Sequence, residues 1–576
     1  MPTFICMRLS PRRVIAGISF SILAVLAATG ALRATLPQAG PAPVSHALTN
    51  GRIWTGNSKQ PWADAVAIRE NTVAAVGTSK EISSMAGPET KRTDLGGKLV
   101  IPGFNDAHIH FLSGSLLLTQ VDLNGAETLE EMQRRIARYA KENPNLPWIT
   151  GFGWQYSYFP EKRNPTRQDL DAVVADRPVF MDAYDGHTGW VNTKALEVAG
   201  VIRATKYEGF GELVRDANDD PTGMLKEGAQ SLVTEKIPKP TREDELAALR
   251  AGLKLALSLG ITSMQNAHGS EREAELYREL LDRGELPLRV KVAHSVGPRT
   301  TQADIERIRA LEEKHKGPWL AMGAIKMMMD GVIETHTAAM LAPYSDGSNT
   351  SGSPAYTQEQ ANNVVAWADK AGLQVFIHAI GDRAVRMALD AYQNARKVNG
   401  THDARFRIEH IETVQAADIP RFAQLGVLAS MAPIHADPAS IDVWEKSAGP
   451  DRSSRGFAWR ALEKAGATLL YHSDWPACVS LNPIQGLHRG VNRTTHTGFP
   501  KGGWQVQQKV SMQTAVTAYT TTGAYASFEE KIKGQIAPGM LADMVVLDAD
   551  LFKVKPADVH KTRVTMTIID GKVVYP

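Results

Sequence analysis

The stretch GGKLVIPGFNDAHIH (96–110) joins an apolar run to two histidines one residue apart. Residues i and i+2 of a β-strand point to the same face, so His108 and His110 would project side by side at the end of such a strand. This arrangement suits two imidazole nitrogens that bind one cation. The alternative is a pair of solvated loop histidines, and an isolated His-x-His motif does not separate the two interpretations.

Seven further apolar runs follow, and helical patterns separate most of them. The runs are GITSMQNAH (260–268), LRVKVAHSV (288–296), AIKMMMDG (324–331), LQVFIHAIGD (373–382), RFRIEH (405–410), GVLASMAP (426–433) and TLLYHSD (468–474). With the first stretch they predict an α/β fold, a (β/α)8 TIM-like barrel with its active site at the carboxyl ends of the strands. A doubly wound open sheet is the alternative architecture.

The two ends of the chain share a different texture, short strand-like pieces bounded by Gly and Asn turn signals. They predict a small β-sandwich domain built from residues 46–102 plus 533–576. Residues 103–532 would then form the barrel. A segment at about 113–240 does not follow the strand–helix alternation, and we interpret it as a cap-like insertion after the first barrel strand.

The N-terminus has the layout of an export signal. A basic start, RLSPRR (8–13), precedes the apolar run VIAGISFSILAVLAATGAL (14–32) and a region of small residues. Residues 1–34 therefore predict a signal peptide and a periplasmic or secreted protein, with a Pro-rich linker over 35–45. The alternative is an uncleaved membrane anchor, because a run of roughly 19 apolar residues is also long enough to span a bilayer.

Composition excludes several classes of function. The chain is 43% hydrophobic and 22% charged with a formal net charge of +2, which is typical of a globular enzyme and leaves no basic surface for nucleic acid. Two cysteines provide neither a disulfide framework nor a thiolate zinc site. A Walker-type phosphate loop and a GxSxG nucleophile elbow are both missing from the sequence, which argues against nucleotide-dependent and serine-hydrolase chemistry.

Polar side chains interrupt or close five of the eight predicted strands. Burying a charged group or an imidazole costs several kcal/mol unless it is paired or ligated, so several such residues at one barrel mouth indicate a common ligand. We therefore predict a metal site for metal-assisted hydrolysis. Its residues are His108, His110, Lys326, His378, His410 and Asp474.

Two of these residues suggest specific chemistry. Burial and positive neighbours would lower the pKa of Lys326 toward the neutral amine, which can add carbon dioxide to become an anionic carbamate ligand. The alternative is a lysine that snorkels or pairs with a carboxylate such as Asp330. Asp474 is placed to take a proton from water and pass it to a leaving nitrogen, as general base and general acid; the alternative is a ligand without a proton role.

Many short motifs together resemble the amidohydrolase superfamily, and more narrowly amidohydrolase family 3, the branch that includes N-substituted formamide deformylase. They are GFNDAHIH, YDGHTGWVNTKAL, PTGMLKE, IKMMMDG, HAIGDRAV, RIEH, SMAPIH, SDWP and IAPGMLADMVVLD. The resemblance implies a barrel plus a small β-sandwich and, usually, zinc. It also implies that His108, His110 and Asp474 bind the more buried of two ions. His378 and His410 would bind the second, with carboxylated Lys326 as the bridge; other divalent metals stay open.

We therefore expect an exported, metal-dependent hydrolase of non-peptide C–N bonds in N-substituted amides or formamides. A homodimer is one assembly that the protein could form. A deaminase or a cyclic amide hydrolase could use the same metal site. A non-catalytic barrel binding protein would be expected to lack a ligand, and all six are present. Three residues are candidates for substrate contacts: His187, Arg383 (alternatively paired with Asp382 or another acidic residue) and His435.

Overall fold

The computed structural model describes residues 44–183, 187–209, 211–436, 441–478 and 480–576. The predicted leader and residues 35–43 of the predicted linker lie outside the described residues. Within the described part of the chain, none of the helices is both long and apolar enough to cross a membrane.

Eight parallel strands form the central sheet, and each pairs with the next along the chain. Backbone hydrogen bonds complete the ring: the Asp474 N–H donates to the His108 carbonyl (3.0 Å) and the His110 N–H donates to the Trp475 carbonyl (2.8 Å). The predicted barrel is thus confirmed, and the open sheet is not found. The strands are β1 (Phe104–Ile109), β2 (Ile261–Gly269), β3 (Arg289–Ser295), β4 (Leu320–Met328), β5 (Gln374–Ala379), β6 (Arg407–His410), β7 (Leu428–Met431) and β8 (Leu469–Tyr471).

Helices connect these strands, and their N-termini follow the expected capping chemistry. The side chains of Thr241, Ser270, Thr301 and Thr357 each accept the backbone N–H three residues on, which satisfies a donor that the first turn leaves free. The helices of the barrel region are Phe111–Leu117, Arg242–Ser258, Glu271–Asp282, Gln302–Lys314, Gln358–Lys370, Asp382–Asn399, Ile419–Leu425, Ile441–Ser453, Trp459–Lys464, Pro483–Asn492, Met512–Tyr519 and Thr521–Ala526.

Both chain ends contribute strands to a β-sandwich. One sheet has four strands in the spatial order Thr72–Gly77, Ala65–Arg69, His46–Thr49 and Lys91–Asp94, with the helix Ser79–Ser84 beside it. The other has six strands in the order Lys572–Tyr575, Val564–Ile569, Met544–Leu547, Leu99–Pro102, Arg52–Trp54 and Trp62–Ala63. Leu48, Val66, Val100, Val546 and Ile568 are buried in a common core. This core is what joins the two ends of the chain.

The segment between β1 and β2 folds around cores of its own. Its sheet has the spatial order Gly211–Arg215, Pro221–Glu227, Thr188–Val191, Val179–Ala183, Ile149–Trp154 and Val121–Asp122. Its helices are Leu129–Glu142, Arg167–Asp171, Thr193–Ala199 and Ser231–Thr234. Met132, Ile136, Trp154, Met181 and Trp190 are buried together, so this insertion is a folded module rather than a long loop. Its role as a cap stays a prediction.

Candidate active site

Two histidines from β1 and one aspartate after β8 meet at the carboxyl end of the barrel. His108 is fully buried, and the His110 side chain is 25% exposed. The Nε2 atoms of both face the same carboxylate oxygen, Asp474 Oδ1, at 3.3 Å from His108 and 3.0 Å from His110. The i, i+2 spacing in β1 therefore places two nitrogens around one anionic oxygen.

The second Asp474 oxygen faces two further histidines. Oδ2 lies 2.9 Å from His435 Nε2 and 3.8 Å from His410 Nδ1. Asp474 has a φ of 54°, in the left-handed region that residues other than glycine seldom adopt. Such strained backbone persists where surrounding contacts hold it, and here it lets one carboxylate meet four imidazoles.

His378 on β5 and His410 on β6 form the other half of the cluster, with ring centroids 4.5 Å apart. His378 Nε2 is 3.1 Å from the Gly331 carbonyl and 3.6 Å from Asp330 Oδ1. Asp330 also accepts backbone N–H groups of Ala339, Ile380 and Gly381, so its carboxylate is held firmly in place.

Lys326 is buried in β4 beside this cluster, with Nζ 3.4 Å from His108 Nε2. Among the described residues it forms no ion pair with a carboxylate, so the alternative pairing with Asp330 is not found. Burial lowers the pKa of Lys326 to about 8, and Arg407 adds to this while Glu409 and Asp474 oppose it. The neutral amine is therefore far more accessible near neutral pH than it is for a solvated lysine.

Burial also decides the charge of the other members. It lowers the pKa of His108 and His410 well below the usual range and that of His378 to about 3, because the charged imidazolium loses its hydration. Burial would raise the pKa of Asp474, but His108 and His410 outweigh it and hold the pKa well below its usual value. Burial thus favours the neutral imidazoles of His108, His378 and His410 beside the ionised Asp474 carboxylate.

These residues fit a divalent cation. Two buried atoms, Asp474 Oδ1 and His410 Nδ1, have no hydrogen-bond partner among the described residues, although buried polar atoms are nearly always satisfied. Neutral imidazole nitrogens and carboxylate oxygens are the donors that zinc prefers in the absence of thiolates. Within the described residues, three sets of side chains have donor atoms within 4.8 Å of one another. Two of them include Asp474: His108, His110 and Asp474, and His410, His435 and Asp474. The third consists of His108, Glu409 and His472.

The three residues predicted to contact the substrate lie in three different parts of the structure. His435 joins the cluster, since its ring bridges Asp474 and Glu412 at 2.9 Å and 3.1 Å. His187 has an exposed ring that pairs with Glu227 at 3.0 Å in the insertion. Arg383 is exposed and lines a surface cavity of about 680 Å³ with Arg386 and other residues. Its neighbour Asp382 accepts the Leu341 N–H instead. The substrate roles of His187, Arg383 and His435 stay predictions.

Sequence reasoning missed several buried groups that hold the cluster. Glu409 lies 2.8 Å from His108 Nδ1, and Arg407 binds Glu409. Glu412 accepts the Trp444 indole N–H at 2.8 Å beside His435. Strand periodicity could have predicted the contact between Arg407 and Glu409, because the two residues are two positions apart in β6 and share a face of the strand. Glu412 follows β6 in a loop, where no periodicity predicts its direction.

Comparison with known proteins agrees with this fold. The sequence profile of the amidohydrolase family matches residues 92–575. The Arabidopsis thaliana protein LONG AFTER FAR-RED 3 is 30% identical over 92% of this chain and 91% of its own length. N-substituted formamide deformylase from Arthrobacter pascens is 27% identical over 92% of this chain and 98% of its own. A crystal structure described as an uncharacterized metal-dependent hydrolase from Pyrococcus horikoshii OT3 is 27% identical and covers 89% of this chain and 99% of its own, with a TM-score of 0.71.

The profile match extends over most of the chain and includes every member of the cluster from His108 to Asp474. The chain belongs to the amidohydrolase family, and it is a metal-dependent hydrolase that acts on carbon–nitrogen bonds.

Proposed function

We propose that this protein hydrolyses the C–N bond of N-substituted amides or formamides. The observation that carries the proposal is the Asp474 carboxylate, whose two oxygens face four histidines from β1, β6 and the turn after β7. The similarity to N-substituted formamide deformylase along nearly the whole chain supports this substrate class.

The residues divide into two ligand sets. His108, His110 and Asp474 would hold one zinc ion, and His378 and His410 a second, with Lys326 carboxylated as the bridge between them. The buried Lys326 amine supports this modification, because its neutral form can add carbon dioxide and an anion there would balance two cations. When bound, such ions lower the pKa of water to about 7 and polarise a carbonyl group.

Asp474 supplies the proton transfers. Its carboxylate accepts the proton of the attacking water as the water oxygen bonds to the carbonyl carbon. The same proton then passes to the amide nitrogen as the C–N bond breaks, which releases an amine and a carboxylic acid. His435 lies between Asp474 and Glu412 and has a carboxylate oxygen at each ring nitrogen, so it fixes the direction of Asp474 Oδ2.

The test is a substrate panel with purified protein of known zinc content. N-substituted formamides, N-acyl amino acids, cyclic ureas and amino-substituted heterocycles are compared, with release of formate, amine and ammonia measured separately. Amine and formate release from the formamides, lost on chelation and restored by zinc, is the expected result. Ammonia release from a heterocycle would identify a deaminase, and ring opening of a cyclic urea would identify a cyclic amide hydrolase.

Export is a separate part of the proposal. The basic and apolar layout of residues 1–34 supports transport to the periplasm or medium with removal of this segment. N-terminal sequencing of protein from fractionated cells tests it. A mature start near residues 28–35 is expected, whereas an intact N-terminus in the membrane fraction would indicate an anchor.

A further inference from the structure

A buried carboxylate lies behind His108, on the side away from Asp474. Glu409 Oε2 is 2.8 Å from His108 Nδ1, and both side chains are fully buried. On its opposite side, His108 presents Nε2 to Asp474 Oδ1 at 3.3 Å and to Lys326 Nζ at 3.4 Å. The two ring nitrogens of His108 therefore have different partners.

Distance alone would allow a further cation here, because donor atoms of His108, Glu409 and His472 lie within 4.8 Å of one another. Arg407 argues against it. Its guanidinium, also fully buried, binds Glu409 through Nε at 2.7 Å to Oε1 and through Nη2 at 3.0 Å to Oε2. The carboxylate is thus already neutralised by a cation that keeps its charge when buried.

Arg407 is itself fixed in direction. It donates to Gln265 Oε1 at 2.6 Å and to the Ala107 carbonyl at 2.7 Å, and its guanidinium stacks 3.7 Å from the centre of the Phe376 ring. Because strands β1, β2, β5 and β6 all take part, the position of Glu409 is set by the barrel itself and not by a loop.

From this geometry we propose that Glu409 is a positioning residue that sets the tautomer of His108. An ionised carboxylate accepts hydrogen bonds and cannot donate them, so it requires the His108 proton on Nδ1. The Nε2 lone pair then faces Asp474 and Lys326, where the proposed function places an ion. Outer hydrogen bonds of this kind typically change metal affinity by about 10–100-fold. The inference rests on the proposed ligand set.

The Glu409→Gln variant tests the tautomer directly. A glutamine side chain can still accept from Arg407 with its oxygen, and its amide then donates to His108 Nδ1 and moves the ring proton to Nε2. We expect zinc affinity, measured by chelator competition, to fall by about 10–100-fold. In the metal-free protein, the ¹⁵N shifts of His108 should exchange their protonated and unprotonated patterns. The conservative Glu409→Asp variant should recover part of the affinity.

A matched control separates this effect from general loss of a buried carboxylate. Asp543 also pairs with a buried arginine, Arg289 at 2.8 Å, where the barrel meets the sandwich, and the pair is only 3–4% exposed. Asp543→Asn should lower thermal stability without changing zinc affinity. If Glu409→Gln and Asp543→Asn change zinc affinity equally, the positioning role is wrong.

The proposed function and this inference fail in different ways. Wild-type protein that binds no zinc with sub-micromolar affinity contradicts the function itself. Wild-type protein that binds zinc, with an affinity that falls in His110→Ala but not in Glu409→Gln, contradicts the positioning role alone. Unchanged ¹⁵N shifts of His108 in the Glu409→Gln variant would contradict it as well.

Discussion

Replacing Arg407 by methionine should be among the costliest single changes in this barrel. The substitution keeps much of the side-chain length but removes every donor of the guanidinium. Its partners Glu409, Gln265, Ser430 and the Ala107 carbonyl, all buried, then lose hydrogen bonds. Glu409, which is fully buried, would be left as an anion beside two imidazoles, His108 at 2.8 Å and His472 at 3.8 Å, without a permanent cation.

The magnitude follows from this orphaned charge. Removal of one partner from a buried ion pair costs about 3–5 kcal/mol, because the remaining ion keeps its desolvation penalty. The same substitution two residues earlier provides a matched control. Arg405 pairs with Asp403 and Glu530, which are 59% and 29% exposed and would be rehydrated. With its ring contacts to Tyr525 and Phe528 included, Arg405→Met should cost about 1–2 kcal/mol.

Equilibrium urea unfolding of chelator-treated protein, followed by tryptophan fluorescence, measures both variants without a contribution from bound metal. The double variant Arg407→Met/Glu409→Gln removes the orphaned charge and should recover about half of the Arg407→Met loss. The reasoning is refuted if Arg407→Met costs no more than Arg405→Met, or if the double variant is no more stable than the single one.

Three further predictions concern the site and the sandwich. Asp474→Asn should lower kcat by about 10²–10⁴-fold, because it removes the proton acceptor, while circular dichroism shows a folded protein; unchanged turnover would contradict the proton-transfer role of Asp474. Gly114→Ala would place Cβ 2.3 Å from the Trp475 ring, so it should lower the free energy of unfolding by about 1–3 kcal/mol and reduce activity. The control Gly87→Ala has open space around its Cβ and should change neither quantity. Burial, aided by Lys91, lowers the pKa of His46 from 6.5 to about 4. The unfolded chain therefore binds a proton at higher pH than the folded protein does, and the free energy of unfolding falls as pH drops from 6.5 toward 4. Urea midpoints measured across this range should depend less on pH in His46→Gln than in the wild type.

The barrel was predictable from sequence because each buried parallel strand reads as an apolar run. The stretches around Lys326 and His378 overlap β4 and β5 and extend past their carboxyl ends, as the run that ends at Asp474 extends past β8. The polar residues stood out because an apolar background makes them conspicuous. The insertion was harder to predict, since its sheet pairs segments as distant as Val121–Asp122 and Ile149–Trp154 without a repeating pattern.

Side-chain direction explains what the sequence left open at the site. Strand alternation sends neighbouring residues to opposite faces, yet both Glu409 and His410 point into the barrel mouth region, one to His108 and the other toward Asp474. Their joint presence is possible because β6 ends at His410, where φ is 77°, followed by 51° at Ile411. The backbone thus leaves the β conformation at His410, and this change turns the His410 side chain toward Asp474.

The same departure occurs at Asp474, with φ of 54° just after β8. Periodicity within β1 directs His108 and His110 to one face, whereas His410 and Asp474 lie at or just after the ends of their strands, where strand periodicity does not set the direction of a side chain. Backbone in the left-handed region corrects their direction at a cost of order 1–3 kcal/mol each. Two contacts lie beside these residues: the buried ion pair Arg407–Glu409 and the hydrogen bond from the Asp474 N–H to the His108 carbonyl. These contacts of the barrel strands offset the conformational cost of the left-handed backbone at His410 and Asp474.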